Sequence, residues 1–362
     1  MKVRSRLRSP RTSVRDTPRS TSRPRPSGIW SPSSGGREVD LPTSAVRDLV
    51  PELPTISDEP MANPSFLPTL LVCQAARRDV VVALSGDGGD ELFGGYNRYL
   101  RAPNLIETAG RVPRPMRSLV EAGIGGISKA PGIEAVGRRL LPSGFAAQHT
   151  FASRLNRIAA IAGAADARRA YEEFTAVGHR VPPILPLTDG GEEVDRRCFD
   201  RHPGSLLSRI MLLDQAEYLP DDLLAKVDRA SMWTSLEARV PILDHPVVEF
   251  SWTLSDDLKI RDGVSKYLLR QIVYEYLPRE LIDRPKMGFT VPLDGWLRSD
   301  LSSWLADTLH PDQLRQRDLF DVPAVVERHE LFRSGNNDVA TGLWAVTMLE
   351  AWSANRGVTF GG

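Results

Sequence analysis

The segment Val80–Tyr96 (VVVALSGDGGDELFGGY) combines closely spaced acidic residues, glycines and a serine. Residues of these types can bind a metal ion or a phosphate group. Carboxylates such as Asp87 and Asp90 can bind a divalent cation through their oxygens. Gly86 and Gly88 leave room for backbone N–H groups to approach a phosphate closely. The segment therefore indicates a nucleotide or metal site, although a plain surface turn can have the same composition.

The residues before and after these acids favour the nucleotide site over the turn. Val80–Leu84 is apolar and mostly β-branched, which predicts a buried strand, and helix-like sequence follows the acids. Open α/β sheets bind ligands in the crevice beyond the carboxyl ends of their parallel strands. We therefore expect a central parallel strand at Val80–Leu84, with Ser85–Asp90 facing a crevice at its end.

Most of the remaining sequence predicts helices. One apolar helix is expected to begin near Ser65, and two later helical patterns are expected to stop at Pro220 and Pro278. The helix before Pro278 is expected to face inward through Tyr267, Leu268, Ile272 and Tyr276. Residues 339–356 predict a further helix that serves packing. The fold class is therefore α/β at the start, followed by a mainly helical region.

The composition is ordinary for a soluble protein of 362 residues, with 41% hydrophobic and 25% charged residues and no net charge. The two cysteines, Cys73 and Cys198, cannot build a disulfide framework and suit a reducing compartment. Cys73 lies in an apolar helical pattern and is expected in the core. No apolar run reaches the length of a membrane span, and no signal peptide is recognisable. These features predict a cytoplasmic protein with no membrane partner.

Residues 1–38 differ in composition from the rest of the chain. They contain nine arginines, nine serines and five prolines, with almost no apolar periodicity. Such a segment cannot bury enough surface to offset its ordering entropy, so we expect a disordered tail. The remaining chain is net acidic and offers no basic surface, so no nucleic-acid partner is expected.

Four blocks of sequence resemble the glutamine-hydrolysing asparagine synthetase family, in the order in which that family has them. They are SGDGGDELFGGY (residues 85–96), KVDRASMWTSLEARVPILDHPVVEF (226–250), GVSKYLLRQ (263–271) and RPKMGFTVPLDGW (284–296). The resemblance implies one synthetase-like domain over residues 39–362. It also implies a parallel-sheet nucleotide-binding region of the adenine nucleotide α-hydrolase or ATP-pyrophosphatase type, truncated at its start.

The resemblance implies adenylation of the aspartate side chain by ATP with Mg²⁺, followed by attack of ammonia. It implies that Asp87 serves formation of the acyl-adenylate, that Asp90 binds Mg²⁺ and that Lys266 contacts the reacting centre. Ser85, Gly86 and Gly88 belong to the loop that can hold the phosphates.

Lys266 and Arg270 stand four residues apart and are expected on one face of a helix near Val264–Leu277. Two solvated cations beside an apolar stripe are the ordinary interpretation of this spacing. The alternative puts them near the phosphates, where a fixed cation stabilises charge. The resemblance favours that alternative for Lys266, and for Arg270 a role in ATP binding and the ordinary interpretation both stay open.

The partners implied by the resemblance are aspartate and ammonia, or glutamine through a separate glutaminase. The resemblance is also compatible with a homodimer.

Two parts of the family pattern are not found in this sequence. Met1 is followed by Lys2 rather than by a cysteine nucleophile, and the first ATP loop, Ser-Gly-Gly-x-Asp-Ser, has no intact match. The nearest string, residues 34–39, has Glu38 in the aspartate position and Val39 in the serine position. We therefore expect a truncated domain that does not use glutamine and whose synthetase activity is impaired. Two alternatives stay open: a relative that closes β-lactam or macrolactam (lasso-peptide-type) rings, and a non-catalytic nucleotide-binding remnant.

Some charged residues in these blocks carry weaker signals. An internal lattice of ion pairs is the favoured interpretation of Asp228, Arg229, Glu237 and Arg239, with a substrate pocket as the alternative. Lys286 could reach pyrophosphate from a loop. His245 is expected to be a turn histidine rather than a catalytic base.

Overall fold

The computed structural model describes residues 2–6, 36–40, 43–128, 130–140, 150–176, 197–283 and 291–359. The chain divides into two compact units. The first unit comprises Met1–Val50, Ser65–Gly95 and Lys226–Thr290, and the second comprises Pro51–Pro64, Tyr96–Ala225 and Val291–Gly362. Lys286 lies outside the described residues, so its predicted role stays a prediction.

Helices dominate the described residues. The helices of the first half are α1 Thr43–Arg47, α2 Leu53–Ile56, α3 Phe66–Arg77, α4 Gly89–Phe93, α5 Asn97–Gly110, α6 Arg114–Ser128, α7 Ile133–Leu140, α8 Phe151–Gly163, α9 Ala167–Thr175 and α10 Arg197–Arg201. Those of the second half are α11 Leu206–Ala216, α12 Ala225–Trp233, α13 His245–Thr253, α14 Asp256–Lys259, α15 Tyr267–Tyr274, α16 Arg279–Ile282, α17 Leu293–Arg298, α18 Ser302–Thr308, α19 Pro311–Arg317, α20 Val322–Arg333 and α21 Ala340–Arg356. Short 3₁₀ turns occupy Val50–Glu52, Pro241–Leu243 and Asn337–Val339, and a π-helical segment occupies Leu219–Leu224. No described helix is both long enough and apolar enough to cross a bilayer.

Four strands form two small sheets in the first unit. Strand β1 (Lys2–Arg6) pairs antiparallel with β2 (Gly36–Asp40), and β3 (Val82–Leu84) pairs parallel with β4 (Glu237–Arg239). The parallel pair brings together segments that are far apart in the sequence. It thereby sets the end of β3 beside the turn that follows β4.

Strand β3 differs from the buried central strand expected from the sequence. It is shorter, and it has β4 as its sole partner among the described residues. The side chain of Val81, just before the strand, is 60% exposed, and that of Leu84, its last residue, is 75% exposed. The expectation of a parallel strand is confirmed, and the expectation of burial is wrong. An apolar β-branched run specifies an extended backbone, but the neighbouring strands and helices that cover it lie elsewhere in the chain.

Helix α3 follows the sequence pattern closely. It begins after Ser65, and Phe66, Leu67, Leu70 and Leu71 are all buried. Pro68 is tolerated because it lies in the first turn, where its missing N–H would have no partner inside the helix. The helix therefore forms an apolar support immediately before β3, and Cys73 lies in it as a buried residue, as expected.

The second unit has a helical core of large buried side chains. Trp344, Tyr99, Tyr171, Phe199 and Phe332 are almost completely buried. Helix α6 packs along α8, and α21 packs against α2, α18 and α20. The predicted packing role of residues 339–356 is confirmed, because α21 buries Leu343, Trp344, Val346 and Met348.

Helices α11 and α15 differ from the sequence-based expectation, the first in where it ends and the second in its burial. Helix α11 already ends at Ala216. Pro220 therefore does not terminate this helix but lies in the first turn of the following π-helical segment. Proline is acceptable there for the same reason as at Pro68. Helix α15 has no buried residue, and Ile272 and Tyr276 are exposed rather than inward-facing. Helical periodicity identifies an apolar face but not whether another element covers it.

The N-terminal segment is partly described. The structure pairs Lys2–Arg6 with Gly36–Asp40 in an antiparallel register that sets Val3 opposite Val39, where the sequence predicts disorder up to residue 38. Two five-residue segments carry too weak a periodicity to stand out against the arginine- and proline-rich sequence around them. Residues 7–35 lie outside the described residues, so their disorder stays a prediction.

Candidate nucleotide site

The loop after β3 is continuous with the parallel sheet. The backbone N–H of Ser85 donates to the carbonyl oxygen of Arg239, the last residue of β4, at 2.8 Å. Gly88 then adopts a left-handed conformation (φ 81°) and precedes α4. A Cβ at Gly88 would overlap the side chain of Leu243, so both the backbone conformation and the available space require glycine there.

Ser85 holds the first acid of the loop. Its hydroxyl donates to the Asp87 carboxylate, and the backbone N–H of Asp87 approaches the same hydroxyl oxygen at 3.4 Å. Gly86, between them, is exposed, and a Cβ there would meet no heavy atom within 4 Å. Hydrogen bonds between Ser85 and Asp87 therefore hold the loop, and the space next to Gly86 is open to solvent.

Lys266 and Asp90 form an ion pair beside this loop. The Lys266 Nζ lies 2.9 Å from Asp90 Oδ1, and both side chains are partly exposed. The same Nζ lies 3.9 Å from the position that a Cβ would take at Gly89. The structure therefore brings together Lys266, predicted to act in catalysis, and Asp90, predicted to bind a metal ion. Helices α5 to α14 lie between these two residues in the sequence.

Lys266 also has an unusual backbone. It adopts φ 52° immediately before α15, in the left-handed region that residues other than glycine rarely occupy. Such a conformation costs roughly 1–3 kcal/mol and is typical of functional positions, where the surrounding structure maintains it. The conformation directs the start of α15 while the side chain reaches Asp90.

Gly95 is a site residue that the sequence-based prediction did not assign. A Cβ at this position would overlap both Asp90 Oδ1 and Lys266 Cε. Gly95 is therefore required for the ion pair to form at its observed distance. The Gly94–Gly95 pair after the acids was the available signal, but a glycine's steric role is visible only once its neighbours are known.

Arg270 forms its ion pair with an acid outside the loop. Its guanidinium pairs with Asp283 at 2.6 Å and donates to the carbonyl oxygen of Ser265 at 2.9 Å, and the hydroxyl of Tyr274 donates to the same Asp283 carboxylate. Lys266 precedes α15 in a left-handed conformation, so it is not itself part of the helix that carries Arg270. A role of Arg270 in ATP binding stays a prediction.

The other charged residues singled out from the sequence lie at the surface or pair locally. Glu237 and Arg239 form an exposed pair at 2.7 Å, and Arg229 lies 3.9 Å from its neighbour Asp228. An internal lattice is therefore the wrong interpretation for the exposed pair on β4, whose side chains point away from any core. His245 is exposed and is the first residue of helix α13 rather than a turn residue.

Cys73 has the properties of a structural thiol. Burial, and secondarily the negative charge of Asp87, raise the pKa of its thiol to about 11. The thiolate, which is the nucleophilic form, is therefore scarce at neutral pH. The expectation that Cys73 is a core residue agrees with this environment.

The acids of the loop fit Mg²⁺ that is bound together with phosphates. Within the described part of the chain, no group of three or more histidine, cysteine or acidic residues could hold a metal ion. Mg²⁺ usually keeps several waters and is bound through one or two carboxylates plus substrate phosphates, rather than by an all-protein cage. Asp90, with Asp87 nearby in the same loop, offers that limited donor set.

Comparison with known proteins assigns the chain to a family. The family model described as asparagine synthase matches residues 34–354. The chain is 32% identical over 306 residues to the putative glutamine-hydrolysing asparagine synthetases of Mycobacterium bovis and Mycobacterium tuberculosis, which covers 84% of this chain and 44% of each relative. It is 29% identical over 306 residues to asparagine synthetase 1 of Bacillus subtilis, which covers 83% of this chain and 45% of that relative.

The chain thus spans less than half the length of these relatives, 44% and 45%. The match nevertheless includes β3, the loop after it, β4 and Lys266 in one continuous family region, residues 34–354. On these grounds, the chain belongs to the asparagine synthase family.

Proposed function

We propose that this chain acts as an ATP-dependent carbon–nitrogen ligase that converts aspartate to asparagine through a β-aspartyl-AMP intermediate. Ammonia, supplied directly or released from glutamine by a separate glutaminase, is the nitrogen donor. The observation that carries the proposal is the Lys266–Asp90 ion pair beside the loop that follows β3. A cation and a carboxylate held at the end of a parallel strand are the groups that a Mg²⁺-bound polyphosphate requires.

The chemistry consists of two substitutions. In the first, a side-chain carboxylate oxygen of aspartate bonds to the α-phosphorus of ATP, and the bond from that phosphorus to pyrophosphate breaks. In the second, ammonia bonds to the activated carbonyl carbon, the carbon–oxygen bond to AMP breaks, and the nitrogen loses a proton to give the amide. Both steps gain from fixed groups that stabilise the charge developing on oxygen.

Each loop residue has a proposed part in this scheme. Gly86 and Gly88 present backbone N–H groups to the phosphates, which the open space above Gly86 permits. Ser85, whose own N–H is bonded to Arg239, begins this phosphate-binding loop and anchors it to the sheet. Lys266 stabilises negative charge on the phosphates as pyrophosphate departs, once its ammonium group is shared between Asp90 and the ligand. Asp87, oriented by Ser85, serves formation of the acyl-adenylate.

Asp90 is proposed to hold Mg²⁺. When bound, the ion would neutralise charge on the phosphate oxygens and so favour departure of pyrophosphate. Arg270 could assist only by exchanging Asp283 for a phosphate, because its guanidinium is engaged by that carboxylate.

Aspartate-dependent formation of AMP from ATP tests this proposal. The purified chain is incubated with ATP, Mg²⁺ and aspartate, with and without ammonium, and AMP and asparagine are quantified. We expect AMP formation that requires aspartate, asparagine only when ammonium is present, and loss of both products in Lys266→Gln. The variant Glu249→Gln, which removes an exposed carboxylate of the same unit outside the loop, is the matched control. AMP formation that is indifferent to aspartate and to Lys266 would contradict the proposal.

A further inference from the structure

A polar cavity lies in the second unit, among α17, α18 and α20. Its volume is about 400 Å³. Apart from the apolar Leu297 and Ala306, every lining residue carries a hydrogen-bond donor; these are Arg298, Ser302, Ser303, His329 and Arg333. The lining contains two guanidinium groups and no carboxylate, so the cavity concentrates positive charge.

The guanidinium of Arg298 is fixed but incompletely bonded. Its Nε donates to the carbonyl oxygen of Phe332 at 3.0 Å, and its central carbon lies 4.0 Å from the centre of the Phe332 ring. The Nη2 atom is buried and has no hydrogen-bond partner. A buried donor without a partner costs about 1–3 kcal/mol, and more when it is charged, so the Arg298 side chain gains energy if it turns this donor toward an acceptor bound in the cavity.

Arg333 supplies a second charge at the rim of the cavity. Its side chain is exposed and makes no hydrogen bond or ion pair with the described residues. Arg333 follows Phe332, on which Arg298 is stacked, and no acid of the cavity lining neutralises either arginine.

The His329 imidazole lines the same cavity and is influenced by the charge of Arg333. Burial, and secondarily the charge of Arg333, lower the pKa of its imidazole, with a smaller opposing effect of Glu330. The imidazole is therefore mostly neutral near pH 7 and can donate one hydrogen bond without adding charge. A bound anion would reverse this shift.

We propose that this cavity is a binding site for a phosphate group, distinct from the loop at the end of β3. A phosphate monoester carries a charge of roughly −1.5 to −2 at neutral pH and three acceptor oxygens, which match two guanidinium groups and the hydroxyl and imidazole donors. A carboxylate has one charge and fewer acceptors, and would leave one arginine without a counter-charge. The cavity volume falls within the range of about 300–1,000 Å³ that is typical of small-ligand sites, so it can admit a phosphate carried on a small organic group.

Titration of the His329 imidazole by NMR tests the site in the full chain. The resonance is assigned by its loss in His329→Gln, and its pH titration is recorded in phosphate, in acetate and in chloride at equal ionic strength. We expect phosphate to raise the pKa of His329 saturably, with chloride and acetate giving much smaller shifts. Glycerol phosphate is the second probe, and the tighter binder of the two tells whether the site takes free or esterified phosphate. Equal shifts in all three salts, or no shift, would overturn the proposal.

Variants distinguish phosphate binding in this cavity from an effect of the overall charge of the protein. Arg333→Gln should weaken phosphate binding at His329 by at least about tenfold, because it removes a charge-assisted partner from an exposed position that the fold does not need. Ser303→Ala should weaken binding by a smaller factor. Arg315→Gln, which removes the same charge from α19 outside the cavity, should leave the phosphate response unchanged. A response that survives in Arg333→Gln, or that is lost equally in Arg315→Gln, would show that the cavity is not the binding site.

Discussion

At the scale of single residues, the site depends on close approach between side chains that the sequence separates widely. Asp90 lies at the start of α4, Lys266 lies before α15, and Gly95 provides the space in which their side chains meet. The proposed function gives the two members of the pair roles that can be tested separately: Asp90 would bind Mg²⁺, and Lys266 would contact the phosphates.

Asp90→Asn should abolish most of the effect of Mg²⁺ on ATP binding. The amide is nearly isosteric with the carboxylate but is a neutral and weaker ligand for a hard cation. ATP affinity is measured by isothermal titration with and without Mg²⁺ for the wild type, Asp90→Asn and the control Glu249→Gln. Lys266→Gln should instead weaken ATP binding under both conditions. An unchanged Mg²⁺ effect in Asp90→Asn would remove this residue from the metal site.

Gly95→Ala should weaken Mg²⁺–ATP binding by about tenfold, equivalent to ~1.4 kcal/mol, because the added methyl displaces Lys266 or Asp90. In a Lys266→Ala background the same substitution should have much less effect, since one of the two displaced groups is already absent. Gly295→Ala, where a Cβ meets nothing within 4 Å, is the control. Additive effects of Gly95→Ala and Lys266→Ala would contradict the steric role.

At the scale of elements, a buried polar cluster joins α5, α9 and α11 in the second unit. Asp214 accepts hydrogen bonds from the hydroxyls of Tyr99 (2.6 Å) and Tyr171 (2.8 Å) and from Nε of Arg98 (2.9 Å). The Arg98 guanidinium also lies over the ring of Tyr96, at 4.2 Å from its centroid. Three helices thus share one carboxylate, and Tyr96, which ends the glycine-rich motif, is bound to the same cluster.

The cluster makes stability sensitive to alkaline pH. Burial, and then the negative charge of Asp214, raise the pKa of Tyr171 well above its usual range. A pKa raised in the folded state means that this contribution is fully present below the unfolded pKa of about 10 and is lost as the pH rises above it. We therefore expect the free energy of unfolding of the wild type to fall above about pH 10, and to fall less steeply in Tyr171→Phe. Denaturant titrations at pH 8 and pH 11 measure this difference, and equal slopes would contradict it.

Asp214→Asn should destabilise the second unit by roughly 3 kcal/mol or more, because it leaves the buried charge of Arg98 without a counter-ion. Tyr171→Phe at pH 8 should cost only about 1 kcal/mol, the typical value of one hydrogen bond. Chemical denaturation measures both free energies. A smaller loss in Asp214→Asn than in Tyr171→Phe would show that Arg98 finds another partner.

At the scale of the whole molecule, the described part of the chain has one candidate phosphate loop, which follows β3 of the two-stranded parallel sheet. The other loop of the family pattern has no intact match in the sequence, and the exposed Leu84 lies next to the loop that is present. Parallel sheets are normally covered on both faces. A polyphosphate would therefore be held from one side by the residues that the structure describes.

The 362-residue chain by itself should accordingly turn over slowly. A displacement of the α-phosphorus by about 1 Å can reduce the rate roughly a hundredfold. Pyrophosphate release is measured with ATP, Mg²⁺, aspartate and ammonium at saturating concentrations, alongside titration of ATP binding. We expect binding without turnover at the ordinary enzymatic rate of about 1 per second or more. Turnover at that rate would show that another segment completes the phosphate site.

The sequence by itself determined the candidate residues for the proposed chemistry and the positions of most of the main helices. The glycine-spaced acids, the extended segment before them and the apolar face of α3 all follow from local rules: backbone freedom at glycine, β-branched preference for extended backbone, and helical periodicity. Tertiary structure decided which of these residues meet. It joined Lys266 to Asp90, turned Arg270 toward Asp283, gave Gly95 its steric role and left β3 exposed. These outcomes depend on contacts between segments far apart in the chain, and local propensity carries no information about which distant segment covers a given face or fills a given space.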